Sequence, residues 1–236
     1  MNVLQFSGGI DSLATLFLKR DEWRDITVLW CNTGRAYPET TQLCQKIADL
    51  VPRFKVVKSF KADWEALNGV AVDIVPEKHT LLGNLIAGGT SQQLYTSYLR
   101  CCAANVWEPL DKMSRELGAK KIVRGQRAEE HFKAPIKSGF VDQFGVEYEF
   151  PIENWTKAEV FDYCERTCPE FIPPHYELGE ETSRDCWDCI AYLHENVPRI
   201  RNLPADKAAI VSRRLRVYHS VLMTSLRPLE ELTYDY

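Results

Sequence analysis

Short apolar runs alternate along the chain with longer segments whose apolar residues recur at helical spacing. Val3 to Phe6 is the first run. Ser7-Gly8-Gly9-Ile10-Asp11-Ser12 follows at once, and then Leu13-Ala14-Thr15-Leu16-Phe17-Leu18, rich in helix formers. That order predicts strand, glycine turn, helix. Ile26-Thr27-Val28-Leu29-Trp30-Cys31 predicts a second strand, ending in Asn32-Thr33-Gly34. Pro38-Glu39-Thr40 then opens a helix whose apolar face is Leu43, Ile47, Ala48 and Leu50. Phe54 to Val57 and Lys121 to Val123 predict two more strands, the latter after a helical stretch from Trp107 to Leu117. Strands alternating with helices imply an α/β fold, an open, mostly parallel sheet with helices on both faces.

Beyond Ala134 the pattern changes. Phe140-Val141 and Val146 to Phe150 flank Asp142-Gln143-Phe144-Gly145, which predicts a hairpin at the sheet edge. Pro169 to Asp188 reads as irregular. From Ala205 to Leu232, the positions Ala208, Val211, Leu215, Val217, His219, Val221 and Leu222 predict a helical tail. No repeat, low-complexity segment or linker interrupts the chain. The expected organisation is one α/β domain over residues 1–195 and a helical extension over residues 196–236.

Composition narrows the class. A chain of 236 residues buries roughly 70% of its unfolded surface and needs no disulfide staples. The net charge of −4, from 29 Lys+Arg against 33 Asp+Glu, argues against a globally basic nucleic-acid coat. No apolar run approaches the ~20 residues that span a bilayer. Met1 to Phe6 carries no basic n-region, h-region or cleavage site. The cytoplasm is the expected compartment, with no membrane partner. There the 8 cysteines do not read as four disulfides, and their spacings have to explain them.

The turn from Ser7 to Ser12 carries the first chemistry. Two glycines let the backbone approach a phosphate closely and present N–H groups to it. The following helix N-terminus adds partial positive charge. Ser7 and Ser12 can donate hydroxyl hydrogen bonds, and Asp11 can cap the helix or position Mg²⁺ with the phosphates. An ordinary strand-to-helix turn would use Gly for its backbone conformation and Asp or Ser as a cap. Here all six residues, in a strand–turn–helix setting, resemble the SGGxDS pyrophosphate loop of the PP-loop ATP pyrophosphatases.

Further segments resemble one branch of that group, the phosphoadenosine-phosphosulfate (PAPS) and adenosine-phosphosulfate (APS) reductases. Asn32-Thr33-Gly34-Arg35-Ala36-Tyr37-Pro38-Glu39-Thr40 is similar to their NTG-x-x-[FY]-PET segment, and Gly125-Gln126-Arg127 to their G-x-R segment. Pro151 to Phe161 resembles their P-[IL]-x-x-W-[ST]-x-x-[DE]-V-[WF] helix start. Pro174-His175 followed by Cys186-Trp187-Asp188-Cys189 resembles their P-[LH]-H…C-x-x-C stretch. The likeness runs from about Val3 to Cys189 and implies a Rossmann-like fold that binds an adenine nucleotide. It implies nucleotide contacts from Ser7, Gly8, Gly9, Asp11, Ser12, Asn32, Thr33, Gly34, Arg35, Arg127 and His175. Asp11 and Arg127 are the candidate catalytic residues, and a surface ion pair is the alternative role for Arg35 and Arg127. For His175 the alternatives are contact with the nucleotide, contact with a metal cluster, or a structural hydrogen bond.

Cys101-Cys102 with Cys186-x-x-Cys189 resembles the CC…CxxC set that holds a [4Fe–4S] cluster in the iron–sulfur branch. Four such thiolates also suit Zn²⁺, and buried cysteine also serves as a small hydrophobe. An adjacent Cys-Cys pair suits the separate iron corners of a cluster better than one small ion. Cys31, Cys44, Cys164 and Cys168 read as packing residues.

The sequence departs from the reductases where their own chemistry resides. Their nucleophilic cysteine lies in a C-terminal ECG motif, and Ile190 to Tyr236 contains no cysteine. Their Arg-Lys after the cysteine pair is Asn105-Val106 here, and Lys133 stands near where they often have Arg. The expected function is therefore an ATP pyrophosphatase that adenylates a substrate and releases PPi, with ATP as substrate and Mg²⁺ as cofactor. Its partner would be a nucleic-acid or protein acceptor in sulfur transfer. That resemblance extends to DNA phosphorothioation and tRNA-thiolating enzymes. The basic positions Arg199, Arg201, Lys207, Arg213, Arg214, Arg216 and Arg227 would face phosphates or form a solvated helix face. The alternatives are a sulfonucleotide (APS/PAPS) reductase releasing sulfite and a non-catalytic nucleotide-binding protein.

Overall fold

The structure, a computed structural model, describes residues 1–74, 94–130, 136–178, 180, 186–193 and 199–234. Its contacts divide the chain into two compact units, Met1–Phe60 with Ala103–Cys186, and Lys61–Cys102 with Trp187–Tyr236.

The first unit is built on β1 (Asn2–Gln5), β2 (Ile26–Asn32), β3 (Phe54–Lys58), β6 (Lys121–Arg124) and β7 (Glu147–Glu149). They form a 5-stranded sheet in the order β3-β2-β1-β6-β7, parallel throughout. Its helices are α1 (Ile10–Leu18), α2 (Pro38–Leu50), α5 (Glu108–Glu116) and α6 (Lys157–Thr167). The near-continuous buried run of β2 marks a strand covered on both faces. Leu4, Phe6, Val28, Trp30 and Val123 pack with apolar residues of α1, α2 and α6 on one face. Val3, Leu29, Cys31 and Val57 pack with Leu110 of α5 on the other. On the outer strand β3, Val57 is buried while Lys55, Val56 and Lys58 are exposed, and such lysines discourage further pairing.

Local chemistry sets the helix starts. Pro38 begins α2, where a missing N–H costs nothing. Thr156 and Glu159 close a reciprocal capping box at the start of α6. Between the end of α4 (Tyr98–Cys102), in the second unit, and α5, residues Ala103–Trp107 form a π-helical turn.

The predicted hairpin takes a reduced form. Val141 pairs with Glu147 through one antiparallel bridge, and the second arm joins the sheet as β7, parallel to β6. The Asp142 carboxylate accepts the N–H groups of Phe144 and Val146 at 2.9 Å each, which closes the turn. Ala134 and Lys133 lie outside the described residues.

The second unit contains α3 (Lys61–Asn68), a parallel pair β4 (Val70–Val72) and β5 (Tyr95–Ser97), α4, and the long helix α7 (Ala205–Tyr234). Tyr218 of α7 stacks on Tyr95 with ring centroids 5.1 Å apart. Its hydroxyl accepts from the Ile74 N–H at 3.1 Å and donates to the Ile74 carbonyl at 2.9 Å. No described helix is long and apolar enough to cross a membrane.

Candidate functional site

The chain runs outward from β1 to β2 to β3, then returns to place β6 on the other side of β1. At such a reversal the connections leave in opposite directions and open a crevice beyond the carboxyl ends of the strands. The loop from Ser7 to Ser12 leaves β1 at this point.

Ser12 is the hub of that loop. Its buried hydroxyl donates to the Gly9 carbonyl at 2.9 Å and lies 3.1 Å from the Ser7 hydroxyl. The Ser7 hydroxyl accepts the Gly9 N–H at 3.3 Å. Gly8 has φ +85°, and a Cβ there would come 2.8 Å from Thr40 Cγ2, so both backbone and space call for glycine. The first N–H of α1, at Ile10, donates to the Tyr176 hydroxyl at 3.1 Å.

Asp11 does not cap α1, contrary to one reading of the sequence. Gly9 occupies the capping position and α1 has no side-chain cap. Asp11 turns sideways instead, accepting from Arg127 Nε at 2.8 Å and Lys157 Nζ at 3.2 Å. Arg127 is buried and also donates to Glu129. Arg127 is ion-paired, though inside the fold beside the loop and not at the surface.

A cavity of about 360 Å³ opens here, and the described residues that line it all belong to the first unit. Ser7 and Ser12 line it from the loop, with Thr33 and Ala36 after β2, and Gly125 and Gln126 after β6. Phe6, Trp30, Val106, Trp107 and Leu110 supply its apolar walls. Of the expected nucleotide contacts, Ser7, Ser12 and Thr33 line this cavity. Gly8, Gly9, Asp11, Asn32, Gly34, Arg35, Arg127 and His175 lie outside its lining. Asn32 acts indirectly: its side-chain Oδ1 accepts the Gly34 N–H at 2.9 Å, and this tight turn sets Thr33 inward. The Thr33 hydroxyl accepts the Arg35 N–H at 3.2 Å and lies 3.4 Å from Cys186 Sγ. His175 is buried, its ring 4.2 Å from that of Tyr176.

Sequence reasoning missed the polar corner of this cavity. Gln5 and Arg124 are register partners on β1 and β6, and Arg124 Nε donates to Gln5 Oε1 at 2.7 Å. Asp111 Oδ1 accepts from Arg124 Nη2 at 2.5 Å and Gln5 Nε2 at 2.8 Å. The available signal was a long polar residue closing each of these two apolar runs, Gln5 after Val3-Leu4 and Arg124 after Ile122-Val123.

The model of the phosphoadenosine phosphosulfate reductase domain matches residues 1–178. The chain belongs to that family. The crystal structure of phosphoadenylyl-sulfate (PAPS) reductase from Candida auris, a phosphate complex, shares its fold with a TM-score of 0.52 and 19% identity, covering 79% of this chain and 82% of that one. The NH3-dependent NAD synthetase from Campylobacter jejuni, in complex with the nitrate ion, has a TM-score of 0.46 and 16% identity, covering 93% of this chain and 85% of that one. No curated protein sequence matches the chain.

In this family member the motif cysteines fall in both units, with Cys186 in the first and Cys101, Cys102 and Cys189 in the second. Cys101 is buried and the other three are half-buried. Among the described residues, no three Cys, His, Asp or Glu side chains are gathered to hold a single metal ion. Burial pushes the Cys189 thiol above its ordinary pKa, and the nearby Lys61 ammonium pulls it back. Elsewhere, burial pushes the Cys44 thiol up, and the Cys31 thiol up to about 11. Of the basic positions, Arg214 and Lys207 are engaged within the second unit, Lys207 over the Trp187 ring at 5.2 Å. Arg213 and Arg216 are exposed on α7.

Proposed function

We propose that this protein binds ATP with its phosphates on the Ser7–Ser12 loop and activates an acceptor by adenylation, releasing pyrophosphate. One observation carries this reading. The two serines that close the loop on itself, Ser7 and Ser12, also line the cavity at the carboxyl ends of β1 and β6. Their hydroxyls rotate freely enough to pass a hydrogen bond from one another to a phosphate oxygen. The apolar walls suit a nucleoside base.

An acceptor oxygen would bond to the α-phosphorus while the bond from that phosphorus to the bridging oxygen breaks, and PPi leaves with the electron pair. The chain's contribution is positioning and charge neutralisation. Mg²⁺ would neutralise phosphate charge, and Asp11 is the loop carboxylate able to ligate it. Asn105-Val106, where the reductases carry Arg-Lys after the cysteine pair, supports adenylation over sulfonucleotide reduction. The motif Cys101-Cys102 and Cys186-x-x-Cys189 offers four thiolates, the donor set of a [4Fe–4S] cluster. A nucleic-acid or protein acceptor in sulfur transfer is supported by Arg213 and Arg216, exposed on α7.

Anaerobic purification, metal and sulfide analysis, and parallel assays with ATP, APS and PAPS test the proposal. PPi from ATP, no sulfite from either sulfonucleotide, and about four irons per chain are the expected results. Sulfite release with thioredoxin would overturn the adenylation reading, and a chain without iron would overturn the cluster.

A further inference from the structure

We propose that Lys157 is the mobile cation of the phosphate site: on binding of a nucleotide triphosphate or pyrophosphate, its ammonium leaves Asp11 for a phosphate oxygen. The inference rests on the reading of the Ser7–Ser12 loop as a phosphate site.

A polyphosphate brings several negative charges that a partly enclosed site must meet with cations. Among the described residues lining the cavity, the cation is Arg124, and its guanidinium is committed to Gln5 and Asp111. Two other cations flank the loop, and they differ in their restraints. Arg127 is 7% exposed and bonded to both Asp11 and Glu129, so moving it would break two ion pairs. Lys157 has a side chain 30% exposed and one ion pair, to Asp11 Oδ2 at 3.2 Å.

The base of Lys157 is nevertheless fixed. It is the first residue of α6, directly after the capping box of Thr156 and Glu159. Its ammonium rests 5.5 Å from the ring centres of both Phe161 and Tyr176, a bed that favours a cation without directing it. The Tyr176 hydroxyl accepts the Ile10 N–H, which ties that bed to the first turn of α1. A fixed root, a flexible four-carbon stem and a single carboxylate partner describe a charge free to change partners. The exchange leaves nothing unpaired, because Asp11 keeps Arg127 at 2.8 Å while Lys157 takes the phosphate.

Inorganic pyrophosphate is the probe. Titration should show that Lys157→Gln binds it about tenfold more weakly than the unsubstituted chain, the scale of one charge-assisted contact. Lys157→Arg should stay within about threefold, with both variants melting at the unsubstituted temperature. The unsubstituted chain provides a second test. Pyrophosphate should slow acylation of Lys157 severalfold, read by mass spectrometry, and leave Lys112, whose side chain is 74% exposed, unchanged. Pyrophosphate binding that is equal in Lys157→Gln and the unsubstituted chain, or Lys157 acylation indifferent to bound pyrophosphate, would overturn the role of Lys157 alone. Failure of the unsubstituted chain to bind pyrophosphate would overturn the phosphate-site reading and this inference with it.

Discussion

Gly125 sits against the backbone of Asp11: a Cβ on Gly125 would lie 2.5 Å from the Asp11 carbonyl oxygen and 2.7 Å from the Ser12 nitrogen. The obstacle is backbone, which cannot turn aside as a side chain can. The end of β6 thus closes on the phosphate loop only because the residue after Arg124 lacks a side chain. Gly125→Ala should force the two apart, lowering stability by about 1–3 kcal/mol and weakening ATP binding at least tenfold. Gly118→Ala is the contrast, since it has φ +69° and nothing within 4 Å. It should cost about 1–2 kcal/mol through backbone strain and leave ATP binding unchanged. Thermal melts and ATP titrations of both variants check this.

Lys61 is 2% exposed, with its ammonium 2.6 Å from Glu65 and 2.9 Å from Asp188. Arg214 of α7 reaches the same two carboxylates at 3.2 and 3.4 Å. Asp188 directly precedes Cys189, so this network anchors that cysteine within the second unit. Lys61→Met leaves two buried carboxylates sharing one arginine and should cost about 3–5 kcal/mol, the scale of breaking a buried pair from one side. Denaturant unfolding measures it, and a loss below about 1 kcal/mol would contradict the arrangement.

Much of the first unit was legible because β1 and β2 at its centre are buried on both faces and read as near-continuous apolar runs. The phosphate loop was legible because a strand–glycine–helix turn is local in sequence. The features that escaped depend on partners far along the chain. Lys61 looks like any surface lysine until Asp188 is placed beside it, 127 residues on. The pair β4 and β5 is three residues per strand, too short for a period to register. Asp11 read as a cap by position, yet Arg127 and Lys157, distant in sequence, determine its role. Tyr176 lies in a 3₁₀ turn that carries no pattern, and only its hydroxyl contact with Ile10 reveals its use.

Glu149 of β7 is bracketed by Lys19 at 2.5 Å and Lys121 at 3.0 Å. Burial alone would raise its pKa, but these two hydrogen-bonded ammonium groups outweigh burial and hold it below its ordinary 4.5. A carboxyl depressed in the folded state contributes stability that is fully present above 4.5 and lost as pH falls through its lower folded value. Glu149→Gln should therefore lower stability by about 1 kcal/mol at pH 7, the upper range for partly exposed pairs. The deficit should shrink below pH 4.5. Urea titrations from pH 7 to pH 3 would show it, and a deficit that grows on acidification would refute the assignment.

The most direct test of the central claim is equilibrium titration of the unsubstituted chain and of Ser12→Ala with ATP and Mg²⁺. Ser12 is the hub on which the loop closes, and it is one of the residues lining the cavity. The account predicts one saturable site that pyrophosphate competes for, with affinity lowered about tenfold in Ser12→Ala at a temperature where melts show both chains folded. Absence of saturable ATP binding, or binding that pyrophosphate does not displace and Ser12→Ala does not weaken, would contradict it.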